Sequence, residues 1–140
     1  MLLFLTPNFA HQLPLPFVGN LVSAGFPSPA DDYIEDKLDL NEHLVNHPNA
    51  TFYVRVSGES MILAGIQDGD TLVVDRSLDA NSDDIVIATI NGEFTVKRLV
   101  YKSGAPWLMP CNPAYHAMQI KEDMDATIWG VVTSVIHQFR

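Results

Sequence analysis

Residues 85–101 read IVIATINGEFTVKRLVY, and this stretch decides the fold. Asn91 and Gly92 divide it into two runs rich in β-formers. Both residues tolerate positive φ, which the tightest hairpin turns require, so the stretch predicts two antiparallel strands. Upstream, residues 51–56 alternate Phe52, Val54 and Val56 against Tyr53 and Arg55, the pattern of a half-buried strand. Thr71–Asp75 reads as another strand, entered through the turn Asp68-Gly69-Asp70. Downstream, residues 107–109, 117–120 and 128–136 supply more. From residue 51 to the end, the expectation is a mainly β, compact domain of antiparallel strands.

The first 50 residues follow another rule. Pro7, Pro14, Pro16, Pro27, Pro29 and Pro48 limit helices to short pieces and favour extended backbone. One helix is predicted over residues 31–38, with Asp31 and Asp32 at its positive end. A second is predicted over residues 40–46, with Asn41 as its cap.

The chain has 140 residues, 47% hydrophobic and 18% charged, enough to bury a core. Eight Lys and Arg against 17 Asp and Glu give a net charge of −9. Phosphate binding works by neutralisation with cations, so direct DNA binding is not expected. Cys111 is the only cysteine, which excludes an intramolecular disulfide and a cysteine-rich zinc site. The apolar start, residues 1–5, lacks a basic segment before it, and prolines interrupt it early. No run approaches the roughly 20 apolar residues that span a bilayer. The reading is a cytoplasmic chain with no membrane association, no cofactor and no metal.

Ser60 has an unusual setting. In Ser57-Gly58-Glu59-Ser60-Met61 it stands where a strand ends and a tight turn begins. Such a hydroxyl is exposed beside unpaired backbone N–H groups, the parts of a nucleophile with an oxyanion hole. A plain turn explains the same residues equally well. The five histidines, His11, His43, His47, His116 and His137, fit no serine-protease motif and read as surface residues. Lys97 lies inside the predicted strand over residues 93–101, on the face of Thr95 and Leu99. A lysine there is uncommon unless paired or functional, the alternative being an edge-strand lysine that blocks aggregation. To act as a base it must become neutral. At a reference pKa near 10.4 only about 0.04% is neutral at pH 7, so burial must lower that value by roughly three units.

Three blocks carry a resemblance: residues 57–61, residues 68–75, and Gly92-Glu93-Phe94-Thr95-Val96-Lys97-Arg98-Leu99. In order and spacing they resemble the catalytic blocks of the LexA/UmuD self-cleaving peptidases. Residues 24–33, then Asp39-Leu40-Asn41 and His47-Pro48, are similar to the UmuD cleavage region, so the likeness covers essentially the whole chain. It implies Ser60 as nucleophile, Lys97 as general base, and Ala24-Gly25 as the bond cut. The backbone N–H groups of Glu59 and Ser60 are the implied oxyanion donors. It also implies a cleavable arm over residues 1–24, a retained linker over 25–50 and a Ser/Lys peptidase-type β domain over 51–140. The 24 residues before the cut are proline-broken and too few for a three-helix DNA-binding unit, which points to the UmuD branch rather than a repressor.

From that branch follow the expected partners: a RecA filament on single-stranded DNA that stimulates cleavage, a UmuC-type DNA polymerase subunit, and a second copy in a homodimer. Residues 128–139 are apolar enough for an intersubunit strand, though core packing explains them equally well. The alternatives are a binding module of the same fold that regulates a polymerase without cleavage, and a signal peptidase, which shares the dyad but needs a membrane anchor or an apolar membrane-facing surface.

Overall fold

A computed structural model describes residues 3–5, 12–18, 24–26 and 34–140. The chain divides into two compact units, one of residues 1–7 and 47–140, the other of residues 8–46.

The larger unit is built on one sheet of eight strands, every adjacent pair antiparallel. In chain order these are β1 (Leu3–Leu5), β4 (Thr51–Arg55), β5 (Thr71–Asp75), β6 (Ile85–Ile90), β7 (Glu93–Lys102), β8 (Ala105–Met109), β9 (Met118–Gln119) and β10 (Ala126–Ile136). Their order across the sheet is β1-β4-β5-β10-β6-β7-β8-β9. The hairpin read from residues 85–101 is present, with Asn91 at φ 49° and Gly92 at φ 84° in its turn. β10 is internal, paired with β5 on one side and β6 on the other. Its last residues, Val135 and Ile136, are exposed.

Buried clusters lie on both faces of the sheet at β6. Val54, Met61, Ile66, Leu72, Val74, Ile87 and Val96 form one buried cluster with Val56, and Val86, Ala88, Leu99, Leu108 and Val131 form another. Consecutive residues of a strand point to opposite faces, so Ile87 between Val86 and Ala88 places the clusters on the two sides of β6. Gly130 lies at a register shift in β10. A Cβ there would stand 2.6 Å from Val74 Cγ1, so only glycine lets β10 pass this close to the core.

In the smaller unit, β2 (Leu15–Val18) pairs antiparallel with β3 (Ile34–Leu38), followed by helix α1 (Leu40–Leu44). The helix expected over residues 31–38 is therefore wrong for residues 34–38, which form a strand; residues 31–33 lie outside the described residues. An isolated helix this short cannot offset its nucleation cost, whereas pairing with β2 satisfies the backbone directly. The cap of α1 also differs from expectation. Asp39, not Asn41, is the cap: its Oδ1 accepts the N–H groups of Asn41 at 3.0 Å and Glu42 at 3.3 Å. Its Oδ2 accepts the N–H of Leu13 at 2.7 Å, which ties β2's approach to the start of α1.

Candidate active site

The turn that carries Ser60 is set by its neighbours. β4 ends at Arg55, and the chain is then held by Val56 N–H donating to the Asp70 carbonyl at 2.9 Å and Gly69 N–H to the Val56 carbonyl at 2.8 Å. Gly58 turns the backbone at φ 102°, a conformation that excludes most side chains, and its N–H donates to Asp68 Oδ1 at 2.7 Å. Met61, 2% exposed, pins the turn to the first core cluster, a burial that stabilises by about 1.5–3 kcal/mol.

A loop after β8 holds the same turn from outside. Cys111 N–H donates to the Ser60 carbonyl at 2.8 Å, and Leu63 N–H to the Cys111 carbonyl at 2.9 Å. Asn112 Nδ2 donates to the Glu59 carbonyl at 2.9 Å. Among the described residues, no group accepts the N–H of Glu59 or of Ser60.

Lys97 comes from β7, opposite Val86 of β6. In the sheet order β7 lies between β6 and β8. The register with β8 begins only at Arg98. Lys97 Nζ lies 3.1 Å from Ser60 Oγ, 2.7 Å from Thr95 Oγ1 and 3.0 Å from the Val96 carbonyl oxygen. Among the described residues no carboxylate pairs with it. Burial pushes its pKa below the ordinary lysine value, because the charged form loses hydration.

Two pockets meet at this lysine. One, of about 240 Å³, is bordered by residues 56–61, Phe94, Lys97 and Tyr115. The other, of about 520 Å³, has Ile90, Leu108, His116 and Met118 in its wall. Phe94, Thr95 and Lys97 line both. Ala24 and Gly25 lie in a bend with Phe26, all three exposed, within the smaller unit.

Thr95 and Asn112 were not identified as site residues from sequence. Alternation placed Thr95 on the face of Lys97, which was the available signal; nothing local marks Asn112, whose partner lies 53 positions away. Two histidines read as surface residues hold buried carboxylates: His47 Nδ1 lies 2.5 Å from Asp75 Oδ2 and His137 Nδ1 lies 2.5 Å from Asp70 Oδ1. Among the described residues no cluster of three His, Cys, Asp or Glu suits a metal ion, and no helix is long and apolar enough to cross a membrane.

The Peptidase S24-like family matches residues 16–133. The protein MucA of Salmonella typhimurium is 51% identical over 120 residues, 85% of this chain and 82% of that protein. ImpA of Shigella flexneri is 49% identical over 125 residues, 89% of this chain and 85% of that protein. SamA of Salmonella typhimurium strain LT2 is 45% identical over 141 residues, covering 100% of this chain and 98% of that protein. Identity at this level along nearly the full length leaves one conclusion: the chain belongs to the Peptidase S24-like family of self-cleaving serine peptidases, as a UmuD-type SOS mutagenesis protein of its LexA/UmuD group.

Proposed function

We propose that this chain cuts its own backbone between Ala24 and Gly25, with Ser60 as nucleophile and Lys97 as general base. The observation that carries this reading is the set of three neighbours around Lys97 Nζ. A neutral amine has two N–H donors and one lone pair. Donating to Thr95 Oγ1 and the Val96 carbonyl leaves the lone pair for the Ser60 hydroxyl proton.

In the proposed reaction Ser60 Oγ bonds to the Ala24 carbonyl carbon as its proton passes to Lys97 Nζ. The negative charge that develops on the Ala24 oxygen is met by the N–H groups of Glu59 and Ser60. Lys97 then returns the proton to the Gly25 nitrogen as the peptide bond breaks. This leaves an ester between Ser60 and Ala24, which water hydrolyses with Lys97 again taking a proton. Tethering supplies the substrate: the chain between Ala24 and Ser60 can reach about 120 Å when extended, and an attached bond has an effective concentration far above that of a free peptide.

In this reading a RecA filament on single-stranded DNA favours the position of residues 1–24 in which Ala24-Gly25 lies over Ser60, a shift of population without donated catalytic groups. The product, residues 25–140, pairs as a homodimer in the cytoplasm and serves as accessory subunit of a UmuC-type translesion polymerase. The test is the mass of the full chain after incubation with RecA, single-stranded DNA and ATP. A fragment beginning at Gly25, absent from Ser60→Ala and Lys97→Ala, is expected. An intact wild-type chain would instead support a binding module that regulates a polymerase without cleavage.

A further inference from the structure

The nucleophile's turn is held by a side chain that touches neither Ser60 Oγ nor Lys97. We propose that Asn112 is a positioning residue for the reaction, fixing the direction of the Ser60 N–H so that it meets the developing oxyanion. The inference rests on the self-cleavage reading above and deepens it.

The argument begins with the peptide plane. The Glu59 carbonyl and the Ser60 N–H belong to one peptide unit, planar and trans, so they point in opposite directions. Whatever holds the carbonyl aims the N–H. Asn112 Nδ2 donates to that oxygen at 2.9 Å, and the Ile62 N–H reaches it at 3.3 Å. The side-chain bond is the shorter of the two, and it comes from outside the turn. Drawing electron density onto the Glu59 oxygen also makes the Ser60 N–H a stronger donor, as in any chain of polarised hydrogen bonds.

Asn112 is itself held for this task. Its Oδ1 accepts the Ala114 N–H at 3.0 Å, and its own carbonyl accepts the Tyr115 N–H at 3.1 Å. The first bond fixes which end of the amide faces Glu59: the oxygen is taken by a backbone donor, so the nitrogen faces a backbone acceptor. Beside it, Cys111 N–H holds the next carbonyl, that of Ser60. Two successive peptide planes of the nucleophile's turn are therefore set by two successive residues of one loop.

The bond to Glu59 separates from the loop's own fold by choice of variant. Neither Asn112→Asp nor Asn112→Ala can donate to Glu59. The aspartate variant keeps an acceptor for Ala114 and so preserves the loop turn; the alanine variant adds no charge near Lys97. The experiment follows appearance of the fragment beginning at Gly25 from the full chain between pH 7 and 10, with thermal midpoints measured alongside. Removing an oxyanion donor outright costs roughly 100- to 1000-fold, and misaligning one should cost less. The expected result is a plateau rate at least about tenfold lower in both variants. The alanine variant should keep the wild-type midpoint on the pH axis, and the aspartate variant the wild-type thermal midpoint. Either variant cleaving at the wild-type plateau overturns the proposal. A wild-type chain that yields no fragment at any pH overturns the self-cleavage reading and this inference with it.

Discussion

Ser60 and Lys97 meet from two different kinds of scaffold. Lys97 stands on β7, whose backbone is locked to β6 through six consecutive residue pairs. Ser60 stands on a turn that, among the described residues, pairs with no strand and is held by a glycine at positive φ, a buried methionine and hydrogen bonds from a loop some fifty residues later. The base is thus placed by regular pairing and the nucleophile by a set of individual contacts. Changes on the sheet side should act through Lys97's charge state or through stability, whereas changes on the loop side should act through alignment.

The largest effect tests the sheet side directly. Lys97→Arg keeps the charge and much of the length, but a guanidinium does not lose its proton in this range. Self-cleavage should fall by at least about 1000-fold, as when a catalytic group is removed outright, with folding preserved in the thermal melt. If Lys97→Arg cleaves at near wild-type rate, the two scaffolds do not differ in the way described.

Next comes the packing of β10 against β5. Gly130→Ala puts a methyl group 2.6 Å from Val74 Cγ1 in a fully buried region. It should destabilise the fold by about 1–3 kcal/mol, the usual range for overpacking a core, read from the denaturant midpoint. Cleavage by the molecules that remain folded should change little.

Thr95→Val removes the hydroxyl 2.7 Å from Lys97 Nζ and keeps the shape of the side chain. The neutral amine then lacks one of its two acceptors, worth about 1–1.5 kcal/mol. A roughly tenfold slower cleavage is expected in a time course above the wild-type midpoint.

The smallest effect is on stability against pH. Lys97 has a lowered pKa in the fold, so between that value and the ordinary one the unfolded chain binds the extra proton. Stability therefore rises with pH through this window, and the burden of a half-buried ammonium is fully present below it. Lys97→Met should melt at a slightly higher temperature than the wild type at pH 7, with the gap closing toward pH 10. A gap that widens with pH reverses the sign and contradicts the account.

The same contrast explains what the sequence made legible. Period-two patterning and the Asn91-Gly92 turn located β4 to β7 closely, because strands with one apolar face announce themselves residue by residue. The short strands β1, β2 and β3 did not. They have three to five residues, β2 contains Pro16, and their pairing is decided by partners far along the chain. Residues 34–38 misled for that reason: acidic residues ahead of a short stretch with Ile34 and Leu38 look like a helix start until a second strand is available to pair. Ser60 and Lys97 stood out by type and setting. Their 3.1 Å separation depends on how β7 meets the turn after β4, which no local pattern encodes. Asn112 was invisible, since its meaning lies in one carbonyl it reaches across the fold.

The central claim is that Lys97, once neutral, takes the Ser60 proton so that the chain can cut itself. The most direct measurement is the first-order rate at which purified full-length chain yields the fragment beginning at Gly25, followed by mass across pH 7 to 10 without any stimulating filament. The account predicts a rate that climbs with pH and levels off once the lysine has lost its charge, with no dependence on protein concentration if the cut lies within one chain. A rate that stays flat across that range would contradict it.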